Sequence, residues 1–202
     1  MLSEIFKLFW KTVERKDERR INSQTSPTEI EQFCDIQYID DGLWQHRLDV
    51  YSKSGKLSHC PVIIDIHGGG WMYGTKEINK NYCLVLAQND YVVVNINYRL
   101  APDFSVADQL RDCFFAFKWV STNIEKYGGD LNNVFVTGDS AGGFLAAYSA
   151  LLNSSDKLRK VFGVTESGLE FRACGLTSPV CFMNTHTFQD VYYSRVKGKE
   201  FS

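Results

Sequence analysis

The sequence lacks several features that would place it in a specialised class of protein. None of its apolar runs approaches the roughly 20 residues that a membrane-spanning helix requires. It has no dense basic run and a net charge of −2, so nucleic acid is not an expected partner. Its six cysteines include no CxxC pair, and its His, Cys and Asp residues nowhere share the spacing of metal ligands. The sequence therefore predicts no metal, no cofactor and no membrane span.

No secretory signal peptide is recognisable either, although six cysteines would be an even set for disulfides in a secreted protein. Residues 2–13, LSEIFKLFWKTV, interrupt an apolar pattern of helical spacing with Glu4, Lys7 and Lys11, which is typical of an amphipathic helix. We expect this helix to pack against its own domain, with attachment to a membrane surface as the alternative. Reduced cysteines and a cytoplasmic location are expected.

The composition that remains is that of an ordinary soluble domain, with 44% hydrophobic and 23% charged residues. A chain of 202 residues is long enough to bury a core of its own. Neither internal repeats nor low-complexity segments interrupt it. We therefore expect a single domain over residues 1–202.

Strand-like and helix-like segments alternate along the chain. CDIQYID (34–40) and QHRLDVYS (45–52) predict two strands joined around the turn-forming pair Asp41-Gly42. The later segments predict, in order, a strand at 61–66, a helix at 76–90, a strand at 91–98, a helix at 105–128, a strand at 133–138, a helix at 141–155 and a strand at 171–180. Strands that alternate with helices of this length predict an α/β fold, with a parallel sheet covered on both faces.

The segment GDSAG (138–142) fits the pattern G-x-S-x-G and lies between a predicted strand and a predicted helix. A sharp turn there would lift the Ser140 hydroxyl clear of the sheet, and the small residues Gly138 and Gly142 would keep neighbouring chain from colliding. The start of the following helix would place the Ala141 N–H beside a reacting carbonyl, where the helix dipole favours negative charge. The pattern alone also occurs in plain turns.

A second glycine cluster, DIHGGGW (65–71), directly follows an apolar strand. Glycines at this position leave their N–H groups unshielded, so Gly68 and Gly69 are predicted to donate, with Ala141, to the oxyanion of an ester under attack. His67 is expected to hold the loop rather than to carry a proton, and Trp71 to anchor the loop by packing. A tight turn without function is the alternative, which the serine motif disfavours.

Three motifs in this order, HGGGW (67–71), YRLAP (98–102) and GDSAGG (138–143), resemble the hormone-sensitive-lipase-like branch of the α/β-hydrolases. The resemblance extends from about residue 45 to the end of the chain. It implies a mostly parallel, doubly wound sheet and the hydrolysis of short-acyl esters, with a small ester as the partner. The site residues that it implies are Ser140 as nucleophile, Gly68, Gly69 and Ala141 as oxyanion hole, and His67, Gly138 and Gly142 as supports. Tyr98 and Arg99 are expected to be structural supports.

The resemblance also divides the chain. Together with the helical pattern at the amino terminus, it leads us to expect a helical segment at 1–30, a hydrolase core at 31–181 and the start of a lid-like region at 182–202. On this interpretation the domain is incomplete at its carboxyl terminus and lacks the last strands of the fold.

The chain differs from the family pattern in its catalytic acid and base. Members of the fold order the triad as Ser, then Asp or Glu, then His. His186 is the single histidine after Ser140, and it lies in the lid-like region, so it is not expected to be the base. Glu166 and Glu170 flank Gly168 in a segment that resembles the loop before a late strand, and no Asp-Pro-type motif follows. The sequence therefore predicts an esterase that is inactive as this chain.

Two other interpretations stay open. The chain could be a non-catalytic hydrolase-fold protein that binds a small ligand in the serine pocket. It could also be a fragment that associates with other copies through the unpaired edge of its sheet.

Overall fold

Six strands form one sheet in the computed structural model, which describes residues 2–55 and 58–181. The strands are β1 (Ile30–Gln37), β2 (Arg47–Lys53), β3 (Cys60–Ile66), β4 (Val92–Ile96), β5 (Gly129–Asp139) and β6 (Phe171–Thr177). Their order across the sheet is β1-β2-β4-β3-β5-β6. The first two pairings, β1 with β2 and β2 with β4, are antiparallel, whereas β4, β3, β5 and β6 run parallel. The predicted mostly parallel sheet is confirmed.

Helices cover both faces of this sheet. They are α1 (Leu2–Ser23), α2 (Lys80–Gln88), α3 (Val106–Asn123), α4 (Ser140–Asn153) and α5 (Asp156–Phe162), with short 3-10 helices at Lys76–Ile78 and Ile124–Tyr127. On one face, Leu84 and Ala87 of α2 pack against Tyr51 and Val93. On the other face, α3 and α4 bury the larger apolar cluster against β3, β4 and β5. The predicted doubly wound α/β architecture is therefore confirmed.

Several predicted boundaries differ from the observed ones. The first strand begins at Ile30, not at residue 34, and ends before the Asp41-Gly42 turn that was expected to follow it directly. The helix predicted at 76–90 is broken at Asn79, whose side chain makes contacts with the sheet. The last predicted helix is followed by the separate helix α5, which the sequence did not predict. Residues 182–202, including the predicted lid-like region, lie outside the described residues.

The pairing of β3 with β5 decides where the two glycine motifs meet. Ile66 at the end of β3 lies opposite Gly138 near the end of β5, so the residues that follow both strands emerge side by side. From β3 the chain crosses to β4 on one side and then returns past β3 to β5 on the other. Such a switch point leaves a crevice at the carboxyl ends of the strands, where α/β proteins bind ligands.

Among the helices of the described residues, none has both the length and the apolar character that crossing a membrane demands.

A buried charged cluster joins the residue before β2 to helix α3 and to the YRLAP segment. His46 is only 3% exposed in its side chain, with Nδ1 2.6 Å from Asp41 Oδ2 and Nε2 3.2 Å from Asp112 Oδ1. Asp112 also accepts hydrogen bonds from the Arg99 guanidinium and from the Arg99 N–H. Burial lowers the pKa of His46, but the carboxylates of Asp112 and Asp41 outweigh burial and raise it above its ordinary value.

The raised pKa of His46 makes the stability of the fold depend on pH. The folded chain binds the His46 proton more tightly than the unfolded chain does. The contribution of protonated His46 to the free energy of unfolding is therefore complete below about pH 6.5 and is lost as pH rises through the pKa of His46 in the folded chain. His46→Gln is expected to lower the free energy of unfolding by about 1–3 kcal/mol near pH 6 and to flatten the fall of this free energy as pH rises above about 6.5. Urea denaturation across this range measures both effects.

His59→Gln is the matched control, because His59 is exposed at the opposite end of the sheet. It is expected to leave the pH dependence as in the wild type. A His46→Gln protein with the wild-type pH dependence would contradict the assignment.

Candidate active site

Ser140 occupies a strained turn between β5 and α4. Its φ is +50°, in the left-handed region that residues with a side chain seldom adopt. The turn places the serine at the first position of α4, where the helix N–H groups and the positive end of the dipole face outward. Within the described residues its hydroxyl has no hydrogen-bond partner, so the oxygen is available to a substrate.

Glycines 138 and 142 let the turn press against the end of β3. A Cβ on Gly142 would collide with the Ile66 carbonyl oxygen and would lie 2.5 Å from that of His67. A Cβ on Gly138 would lie 2.5 Å from Gly142 and 2.7 Å from the Ile66 oxygen. The main chain therefore makes this contact, and any larger side chain would push Ser140 away from the glycine loop.

The glycine loop, defined here as Gly68–Gly70, turns sharply beside Ser140. Gly69 and Gly70 have φ values of +116° and +58°. The Gly69 carbonyl accepts hydrogen bonds from the N–H groups of Met72 and Tyr73, which closes the turn. The N–H of Gly68 donates to Asp139 Oδ1 at 2.9 Å. By contrast, the N–H groups of Gly69 and Ala141 meet no acceptor within the part of the chain that the structure describes.

His67 holds this loop from inside the protein. Its Nδ1 lies 2.7 Å from the Gly68 carbonyl oxygen, and its ring stacks on Tyr98 with a centroid distance of 4.4 Å. The Tyr98 hydroxyl donates to the His67 carbonyl at 2.8 Å. Burial, opposed by the Gly68 carbonyl and the charge of Asp139, lowers the pKa of His67 to about 4. A neutral, buried ring in this position fits the loop-holding role expected from the sequence.

Trp71 fastens the far end of the loop to the YRLAP segment. Its indole is buried and meets the Phe144 ring edge to face. Its carbonyl accepts hydrogen bonds from the Ala101 N–H and from Gln109 Nε2, both at 2.8 Å. Arg99 is held by Asp112, as described above, so the whole segment acts as a brace.

A network of two carboxylates and one amide lies beside the glycine loop, and its Asn79 and Asp139 line the same cavity as Ser140. Asn79 Nδ2 donates to Asp65 Oδ2 and to Asp139 Oδ1, both at 2.9 Å. Asp65 is almost fully buried, and burial is the main cause that raises its pKa to about 7. The sequence does not predict this network. Its one visible signal was an aspartate within the otherwise apolar run PVIIDI.

Helix α1 forms the outer wall of a cavity of about 390 Å³ over Ser140 and the glycine loop. Trp10 stacks on Tyr73 with a centroid distance of 5.4 Å, and the Tyr73 hydroxyl donates to Asp17 Oδ2 at 3.3 Å. Arg20 donates to the Ile78 carbonyl at 3.3 Å. The helix thus lies against its own domain, as predicted, and the wall that it gives to the cavity was not foreseen.

No histidine of the described residues reaches Ser140. His46 and His67 are engaged in the contacts above, and His59 is exposed at the opposite end of the sheet. Glu166 and Glu170 are exposed in the loop before β6. His186 lies outside the described residues. The described part of the chain therefore contains the Ser140 turn and the glycine loop, but no histidine that could act on the Ser140 hydroxyl.

Comparison with known protein families identifies the family to which the chain belongs. The family model described as BD-FAE matches residues 48–175, which include both glycine motifs and the YRLAP segment. The chain belongs to the BD-FAE family. Its likeness to hormone-sensitive-lipase-like α/β-hydrolases, expected from the motifs, is also confirmed by its relatives, which are carboxylic ester hydrolases.

Two curated relatives of this BD-FAE chain show the degree of similarity. The versiconal hemiacetal acetate esterase of Dothistroma septosporum is 36% identical over 112 residues, which cover 55% of this chain and 33% of the relative. The carboxylesterase NlhH of Mycobacterium tuberculosis is 34% identical over 113 residues, covering 55% and 35%. The chain thus matches about a third of the length of these relatives.

Among solved structures, esterase B from Lactobacillus rhamnosis with a C4-C4 SN3 tributyrin phosphonate superimposes with a TM-score of 0.90 at 32% identity. The match covers 95% of the BD-FAE chain and 63% of the esterase B chain. The α/β-hydrolase fold of the protein is therefore shown.

Proposed function

We propose that this protein is a serine carboxylesterase that acts on short-acyl esters, with Ser140 as its nucleophile. The observation that carries the proposal is the meeting of the strained Ser140 turn and the glycine loop at one cavity. The ester-hydrolysing relatives support the same chemistry. The substrate class is inferred from the family resemblance of the sequence. The cavity of about 390 Å³ is large enough for a small ester, but its size does not distinguish one small ester from another.

The proposed reaction begins with attack of Ser140 Oγ on the ester carbonyl carbon, while a general base takes the hydroxyl proton. The carbonyl oxygen becomes an oxyanion, which the N–H groups of Gly69 and Ala141 would bind. Gly68 belongs to the same proposed oxyanion hole, but its N–H joins only when the bond to Asp139 opens. The alcohol then leaves with a proton, and water releases the acid from the acyl-serine.

Turnover by these residues alone is expected to be slow. A serine hydrolase that loses one member of its triad keeps only about 10³–10⁴-fold catalysis over water, from the oxyanion hole and from binding. Covalent capture of the serine by an activated reagent is therefore a better test than steady-state hydrolysis.

A non-catalytic protein that binds a small ligand in the same cavity is the alternative function. Ethyl p-nitrophenyl butylphosphonate, hereafter the phosphonate probe, separates the two. If the site is an esterase, Ser140 Oγ forms a bond to phosphorus, p-nitrophenolate leaves and the hydroxyl proton passes to solvent. Intact-mass and peptide mass spectrometry are expected to find the phosphonyl group on Ser140. Reversible binding without an adduct would favour the ligand-binding alternative.

We also propose a reducing compartment, the cytoplasm, as the location of the protein, which the scattered cysteine pattern supports. The outer edge of β6 is the proposed surface for association between copies of the chain, because this strand is largely exposed in the described structure.

A further inference from the structure

Asn79 stands at the N-cap of α2, yet its side chain makes no capping hydrogen bond to the helix. Asparagine is among the best N-cap residues, and a side-chain cap typically contributes about 1 kcal/mol to helix stability. The amide instead donates to two carboxylates, Asp65 and Asp139, each at 2.9 Å. Helix α2 therefore lacks a side-chain cap, and the Asn79 amide instead binds residues of strands β3 and β5.

The Asn79 amide lies between two acidic side chains, Asp65 and Asp139, and donates a hydrogen bond to each of them. Burial raises the pKa of Asp65, the hydrogen bond from Asn79 lowers it, and the charge of Asp139 raises it again. Cys83 of α2 contributes a further, smaller lowering of this pKa. Without the Asn79 donor, the Asp139 carboxylate would face a buried acid with no donor between them. It would then be expected to turn away from its present position.

That position matters because one oxygen of Asp139 also holds the glycine loop. Asp139 Oδ1 accepts from the Gly68 N–H at 2.9 Å and from Asn79 Nδ2 at the same distance. A Cβ on Gly68 would lie 2.9 Å from the Asp139 carbonyl oxygen, so the loop lies tightly against the end of β5. The first glycine is thus fixed, and the turn of the next two begins from it.

We propose that Asn79 is a positioning residue of the ester-hydrolysis site. Through Asp139 it fixes Gly68, and thereby holds in place the N–H groups of Gly69 and Ala141, which have no acceptor within the described residues, for the developing oxyanion. This inference rests on the proposed function and deepens it. Donors that are displaced by about 1 Å can cost about 10²-fold in rate, because they act on charge that exists only in the transition state.

The test compares Asn79→Leu, which keeps the approximate size and removes the amide, with the wild-type 202-residue chain. The rate of labelling of Ser140 by the phosphonate probe is measured at increasing probe concentration, which separates the maximal rate from the concentration at half-maximal rate. The maximal rate is expected to fall at least about tenfold, with the half-maximal concentration nearly unchanged. Hydrogen exchange of the Gly68 amide, followed by NMR, is expected to become faster.

Asn89→Leu is the matched control. Asn89 caps the other end of α2, and its amide donates to the Val85 carbonyl on the exposed side of the helix. It is expected to change neither the labelling rate nor the exchange of Gly68. Asn79→Ala, which is smaller and leaves room for water, repeats the test if Asn79→Leu unfolds at the assay temperature.

An unchanged maximal rate and unchanged Gly68 exchange in the Asn79 variants would overturn the inference while leaving the proposed function intact. Asn79 also lines the cavity, so a change in the half-maximal concentration alone would overturn the inference by showing that Asn79 acts on binding and not on the oxyanion donors. If the wild-type chain is not labelled on Ser140, the proposed function fails and the catalytic part of this inference fails with it. Gly68 exchange then still decides whether Asn79 holds the loop.

Discussion

Ser140→Ala is expected to abolish labelling by the phosphonate probe, with a fall of at least about 10³-fold in the rate of adduct formation. Alanine has no oxygen to form the bond to phosphorus. The fold is expected to persist, because the serine hydroxyl has no hydrogen-bond partner within the described residues. Intact mass after incubation and the midpoint of thermal unfolding measure the two halves of the expectation.

Ser178→Ala is the matched control for this change. Ser178 has a φ of +45°, close to the +50° of Ser140, but it is exposed just beyond β6. Its substitution tests whether an alanine in the left-handed region by itself affects labelling, and no effect is expected. An adduct that persists in Ser140→Ala would remove Ser140 from the role of nucleophile.

Gly69→Ala is expected to produce the second largest loss, about 10²-fold in the labelling rate. The residue has a φ of +116°, and a Cβ there would collide with the Tyr73 carbonyl oxygen, which belongs to the turn that the loop closes. The loop must shift to admit the methyl group, and its N–H shifts with it. The maximal rate is expected to change more than the half-maximal probe concentration, because the N–H acts chiefly in the transition state.

Gly42→Ala separates loss of the donor from simple backbone strain. Gly42 has a φ of +78°, and no atom of the described structure lies within 4 Å of where its Cβ would be. Alanine there is expected to cost about 1 kcal/mol of stability without changing the labelling rate. A pure change in half-maximal concentration in Gly69→Ala would instead indicate that the methyl group blocks the cavity.

The sequence could predict those elements whose pattern is set locally. Strands β3 and β4 are apolar runs with one polar residue each, and helix α3 has regular apolar spacing, so the sequence predicts all three. Strand β1 is mostly half-buried or exposed, and its bounds were therefore placed too late in the chain. Helix α5 has only seven residues, most of them polar, and offers too short a pattern to detect.

The candidate site likewise has a part that the sequence predicts and a part that it does not predict. Ser140 and the glycine loop could be predicted because each motif is contiguous and carries its own backbone requirement. Asp65, Asn79 and Asp139 could not be grouped, since 14 and 60 residues separate Asn79 from its two partners and only the register of β3 and β5 brings them together. The break of the predicted helix at Asn79 has the same cause, which is a tertiary contact.

The sheet side and the helix α1 side of the cavity differ in how they can be redesigned. On the sheet side, the contact of Gly142 with Ile66 and the turn of Gly69 leave no room for a larger residue. Helix α1 lines the other side with Trp10, Val13, Asp17 and Arg20, and none of these residues belongs to that main-chain contact. A library intended to alter substrate preference therefore belongs on α1, where variation can reshape the cavity while the chemistry on the sheet side stays fixed.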